Sequence, residues 1–106
     1  MTKLRTINTL KNILVKTYHP EAIYIHSSPS WGGADEENDL EVLIIVDGLP
    51  ERPYLRSNRG VRALRGLKFN EIIIVHTKQE FERLSLEASS LCYTIRKEGT
   101  IIYEAL

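Results

Sequence analysis

Leucine, isoleucine and tyrosine recur at three- and four-residue intervals near the start of the chain: Leu4, Ile7, Leu10, Leu14 and Tyr18. That spacing places them on one stripe, so an amphipathic helix is predicted over residues 3 to 18. His19-Pro20 ends it, because the residue before a proline is sterically driven out of helical geometry. The pattern then changes. Ala22 to His26 reads as a short buried strand, and Leu40 to Val46 is an almost unbroken run of leucine and β-branched residues. Such a run predicts a strand covered on both faces. Asp47-Gly48, with Pro50 and Pro53 following, marks a loop.

In the second half, Leu55, Val61, Leu64 and Leu67 predict a helix over residues 54 to 67, weakened by Gly60 and Gly66. Phe69 to His76 is a third strand. Thr77 and Glu80 have the spacing of a capping box, which starts a helix that buries Phe81 and Leu84. A further helix carries Leu91, Cys92 and Ile95, and Gly99 is expected at the left-handed position beyond its end. Thr100 to Glu104 is a last short strand. Helices alternating with apolar strands predict an α/β (α+β) fold, a mixed sheet flanked by helices in a single domain over residues 1–106.

Composition narrows the function classes. Across 106 residues, 14 Lys and Arg balance 14 Asp and Glu, so there is no strong nucleic-acid signal. The one cysteine, Cys92, rules out an internal disulfide and a paired-cysteine metal site. The opening MTKLRTINTLKN lacks the apolar core of a signal peptide. The longest apolar runs are too short to span a bilayer. The expectation is a soluble, cytoplasmic domain without a membrane partner.

Candidate chemistry concentrates in residues 25 to 47, IHSSPSWGGADEENDLEVLIIVD. Ser28 before Pro29 has the form of a helix N-cap with proline at the first helical position, closed soon after by Gly32-Gly33. A helix start of this kind offers free N–H groups to a phosphate. An acidic stretch follows, with Asp35, Glu36 and Glu37 read as a solvated turn. Asp39 and Glu41 are different: two residues apart at the mouth of a strand, they leave the same face of a sheet. Two such carboxylates can hold Mg²⁺ or Mn²⁺, ions that prefer oxygen donors and keep positions open for phosphate oxygens.

The segment resembles the minimal nucleotidyltransferase domains of the DNA polymerase β-like superfamily, including the MNT antitoxins. The signature there is Gly-Ser, ten residues, then Asp-x-Asp at the head of a strand. Here it reads Ser27-Ser28, ten residues, then Asp39-Leu40-Glu41. VDGLPERPYLR, HTKQEFERL and YTIRKEGTIIYE also resemble family members, in the same order along the chain. The resemblance implies ATP as substrate, phosphates on Ser27 and Ser28, Mg²⁺ on Asp39 and Glu41, and transfer of a nucleoside monophosphate to a hydroxyl. In the antitoxin analogy that hydroxyl belongs to a HEPN-type toxin.

The motif departs from the family at two places. Its glycine is Ser27, whose Cβ crowds a close approach of backbone to phosphate. Its third acid falls at Ile72, while Glu71, one residue away, is the candidate replacement in the catalytic set of Asp39, Glu41 and Glu71. A one-residue slip moves a strand side chain to the opposite face unless a bulge intervenes. The alternative expectation is therefore a catalytically impaired domain that binds a protein or senses a nucleotide. Three further features carry weaker readings. Arg52, Arg56, Arg59, Arg62 and Arg65 form a basic stripe if helical, read chiefly as a solvated face. His26 and His76, both at strand ends, could approach one another. Trp31 reads as a cover over the core.

Overall fold

A computed structural model describes residues 3–27, 40–48, 53–66 and 71–105. The elements run α1 (Lys3–Tyr18), β1 (Ala22–Ser27), β2 (Leu40–Val46), α2 (Pro53–Ala63), β3 (Glu71–Thr77), α3 (Lys78–Leu84), α4 (Leu91–Glu98) and β4 (Thr100–Glu104). Among the described residues the strands form one mixed sheet in the order β3-β2-β1-β4. β1 is antiparallel to β2 and to β4, whereas β2 and β3 are parallel. This is the α+β architecture expected from the alternation of elements.

Alternation along β2 sorts the core into two layers. Leu40, Val42, Ile44 and Val46 point to one face, where Leu10, Leu14 and Tyr18 of α1 and Leu64 beyond α2 pack against them. Leu43 and Ile45 point to the other, against Phe81 of α3 and Cys92 and Ile95 of α4. The strand is thus buried on both sides, as its uninterrupted apolar run predicts. Cys92 is part of this packing.

The local signals are met with three differences. The capping box is complete: the Glu80 amide donates to Thr77 Oγ1 at 3.2 Å, and the Thr77 amide donates to Glu80 Oε1 at 2.9 Å. α2 stops at Ala63, four residues short of the predicted end, with Gly66 in the left-handed region at φ 107°. Gly99 is the second difference. It caps α4 in extended geometry, φ −76° and ψ 169°, because the chain passes directly into β4. A Cβ there would lie 2.5 Å from the Ile95 carbonyl oxygen, so glycine is needed for clearance and not for a positive φ. The left-handed residue at a helix end is instead His19, φ 49°, whose amide donates to the Val15 carbonyl at 2.9 Å.

The third difference concerns the basic stripe. The Arg56 guanidinium is buried and donates to Glu80 Oε1 at 2.7 Å, tying α2 to α3 around the β3 edge. Arg59 stacks on the Tyr18 ring at 4.9 Å. Arg62 and Arg65 remain exposed. Arg52 lies outside the described residues; of the four arginines described, Arg56 and Arg59 are structural, and these four do not form one continuous solvated face.

Tyr18 joins α1 to α2 in an unusual way. Its hydroxyl donates to the Arg56 carbonyl and accepts from the Gly60 amide at 2.8 Å. Those groups are the i and i+4 members of one helical turn, so the hydroxyl is inserted into the α2 ladder. Gly60 makes room for it. A Cβ at this position would come within 3.0 Å of the Tyr18 hydroxyl and 3.1 Å of Ile73 Cγ2.

Two outcomes follow from these ties. Tyr18→Phe should lower stability to urea by about 1–3 kcal/mol, the cost of leaving buried polar groups unpaired. Gly60→Ala should also destabilise, although alanine is the better helix former by about 0.8–1.0 kcal/mol. The second outcome concerns pH. Burial alone would raise the Glu80 pKa, but Arg56, the Thr77 amide and His76 outweigh it and hold the carboxyl at about 2. A depressed folded-state pKa contributes stability above the ordinary value of 4.5, and that contribution is lost as pH falls toward about 2. Glu80→Gln should cost about 1.5–3 kcal/mol at neutral pH. It should also flatten the decline of melting temperature between pH 4.5 and 2 that is expected of the unsubstituted protein.

Candidate functional site

The antiparallel register of β1 and β2 pairs Ser27 with Leu40 and His26 with Glu41. These are the last residues of β1 and the first of β2, so the two halves of the spaced serine and acid motif meet at one end of the sheet. Ser28 and Asp39 themselves lie outside the described residues, as do Trp31 and the short Ser28-Pro29 helix. The Ser27 backbone closes β1.

Glu41 is on the face that carries Leu43 and Ile45, and its side chain is only 13% exposed. His26 lies directly across from it and is similarly covered. The Nδ1–H of His26 donates to Glu41 Oε1 at 2.7 Å, the short length of a charge-assisted bond. The carboxylate acceptor assigns the proton to Nδ1. On the far side of the ring, Nε2 is 3.6 Å from Oε1 of Glu98 at the end of α4. Glu98 is 61% exposed and adds little energy to the pair.

On the other edge of β2 the register is unbroken, with Leu40 beside Glu71 and Glu41 beside Ile72. Ile72, the position at which the resemblance places a third acid, is therefore level with Glu41. It is 46% exposed, a large apolar side chain open to solvent. Glu71 sits one step back, level with Leu40, and no bulge brings it into the row of Glu41. One transverse row therefore reads His26, Glu41, Ile72, with Glu98 beyond the histidine.

The two histidines do not meet. β1 runs against β2 while β3 runs with it, so the late residues of β1 and β3 finish at opposite ends. His26 is level with Glu41, but His76 is level with Ile45. There His76 Nδ1 approaches Glu80 Oε1 at 3.4 Å, within the Arg56 network. Cys92 lines a small cavity of about 100 Å³ with His76, Leu43 and Ile74. Burial pushes its thiol up, and the Glu80 charge adds to the shift. A thiol held neutral in this way is a poor nucleophile. A larger hollow of about 300 Å³ lies between α3, α4 and the β1 start, at the end of the sheet remote from Glu41. Its bases, Lys78 and Arg96, are matched by Glu21, Glu82 and Glu104.

The donor chemistry at Glu41 is oxygen on a strand head, which suits Mg²⁺ better than a softer ion. Among the described residues, no group of three or more His, Cys, Asp and Glu is arranged to hold a metal ion. Of the expected pair of carboxylates, Glu41 is the one among the described residues, and Asp39 lies outside them. The partner that sequence reasoning missed is His26. Its signal was present only in combination: residues 27 and 40 closing an antiparallel pair put 26 beside 41, but the direction of pairing is not written in either strand.

No helix of the described residues is long and apolar enough to cross a membrane. Comparison of the chain with protein-family models, curated proteins and solved structures found no match.

Proposed function

We propose that this protein is a nucleotidyltransferase-like domain that binds ATP with Mg²⁺ and transfers a nucleoside monophosphate to a hydroxyl of a partner. The observation that carries the reading is the β1–β2 register. It brings the ends of the spaced motif, Ser27 and Leu40, into direct pairing and sets Glu41 one residue inside. In this reading Ser27 and Ser28 hold the phosphates, and Asp39 and Glu41 hold the ion. The hydroxyl oxygen bonds to the α-phosphorus, the bond to the bridging oxygen breaks, pyrophosphate leaves and the hydroxyl proton passes to solvent. Bound Mg²⁺ supplies neutralisation of triphosphate charge. The chain's own contribution is positioning and fixed charge. The acceptor in this reading is a HEPN-type toxin, by the antitoxin resemblance.

A second reading is favoured by Ile72. An apolar residue stands level with Glu41 where an acid would help activate the hydroxyl. A domain so altered retains a nucleotide or protein surface while turning over poorly.

Mg²⁺ with ATP should raise the melting temperature, by about 2.7 kcal/mol of added stability at one hundred times the dissociation constant. Asp39→Ala and Glu41→Ala should each remove that rise. No shift at millimolar nucleotide, with or without metal, would sink the nucleotide reading altogether. Incorporation of labelled nucleotide into a cognate partner separates the two readings. By analogy with removal of one oxyanion-hole donor, which costs roughly 2.7–4 kcal/mol of barrier, the Ser27→Gly, Ile72→Asp double variant should transfer faster than the unsubstituted chain. Rapid transfer by the unsubstituted protein that persists in Asp39→Ala would refute the metal mechanism.

A further inference from the structure

The His26–Glu41 bond has no counterpart in the spaced motif, and the proposed chemistry does not use it. Most of the imidazole is covered, its Nδ1 is 2.7 Å from Glu41 Oε1, and its backbone is in register with Glu41 in the antiparallel β1–β2 pair. The ring is therefore held by the sheet and in turn holds the carboxylate. Glutamate has one more rotatable bond than aspartate, so a Glu at this position needs a restraint that Asp would not. His26 provides it from the adjacent strand. On the other flank, level with Glu41, stands the apolar side chain of Ile72, so among these two neighbours in the row the polar contact comes from the β1 side.

We infer that His26 is a positioning residue for Glu41: by binding Oε1 through Nδ1–H, it turns Oε2 toward the ion-binding end of β2. This rests on the proposal that Glu41 ligates a divalent cation. It adds a specific claim, that the cation's affinity depends on a donor at the Nδ1 position of residue 26. Hydrogen-bonding partners of metal-ligating side chains typically contribute 10–100-fold in metal affinity. Glu98 is outside the claim, because it meets the ring at Nε2 and is largely solvated.

Two amide substitutions test the geometry without a change of charge type between them. The Asn amide can place an N–H near the position of Nδ1, whereas the longer Gln amide reaches the region of Nε2. Mn²⁺ binding is measured by the loss of the free-ion electron paramagnetic resonance signal, with the metal alone, without nucleotide and without any acceptor. Thermal melting without metal establishes that each variant is folded. His26→Asn should bind Mn²⁺ within about threefold of the unsubstituted chain, while folded His26→Gln and His26→Ala should bind 10–100-fold more weakly. Should Ala fail to fold, the Asn and Gln pair decides the matter. Equal affinity in Asn and Gln, whether both retained or both lost, would overturn the positioning role and leave the metal reading standing. Absence of Mn²⁺ binding by the unsubstituted chain would overturn both.

Discussion

β2 is hydrogen-bonded along both edges and buried on both faces, between the α1–α2 layer and the α3–α4 layer. A strand in this setting cannot slip by one residue. A slip would carry Leu40, Val42, Ile44 and Val46 out of one core and Leu43 and Ile45 out of the other. The register against β1 and β3 is therefore strongly specified, and with it the row that contains Glu41. The placement of Glu41 at the head of β2 borrows its precision from the hydrophobic packing of the strand behind it.

The same confinement explains how polar groups are distributed. Among the described residues, two clusters of hydrogen-bonded charged side chains lie at opposite ends of β2. At one end Arg56, Glu80, His76 and Thr77 fasten α2 to the start of α3. At the other, His26 and Glu41 face each other across β1 and β2. The first cluster has a structural task, with a buried arginine that requires a carboxylate beside it. The second joins no helices of comparable extent, and it coincides with the meeting point of the serine and acid motif. That contrast is the physical reason for assigning function to the His26 end.

Close backbone approach is the other recurrent device. Gly60 admits the Tyr18 hydroxyl into the α2 ladder, and Gly99 clears the Ile95 carbonyl as α4 turns into β4. Neither glycine has a positive φ. Read along the chain, Gly60 weakens a helix and Gly99 suggests a left-handed cap. In the fold, both are space-makers for neighbours distant in sequence or one turn away.

Amino-acid pattern alone determined the elements, because periodicity is a local property. The stripe from Leu10 to Tyr18, the apolar run from Leu40 to Val46 and the Thr77–Glu80 box each encode their structure within a few residues. It also brought Glu41 to attention through its position at a strand head. Pairing direction was not legible, since an antiparallel and a parallel neighbour satisfy the same apolar run. Only the tertiary structure decided that β1 opposes β2 while β3 accompanies it. That decision parted His26 from His76, gave His26 to Glu41 and set Ile72 level with the acid. It likewise withdrew Arg56 and Arg59 from the apparent basic stripe, because a helical spacing records which residues share a face and not what another element presents to that face.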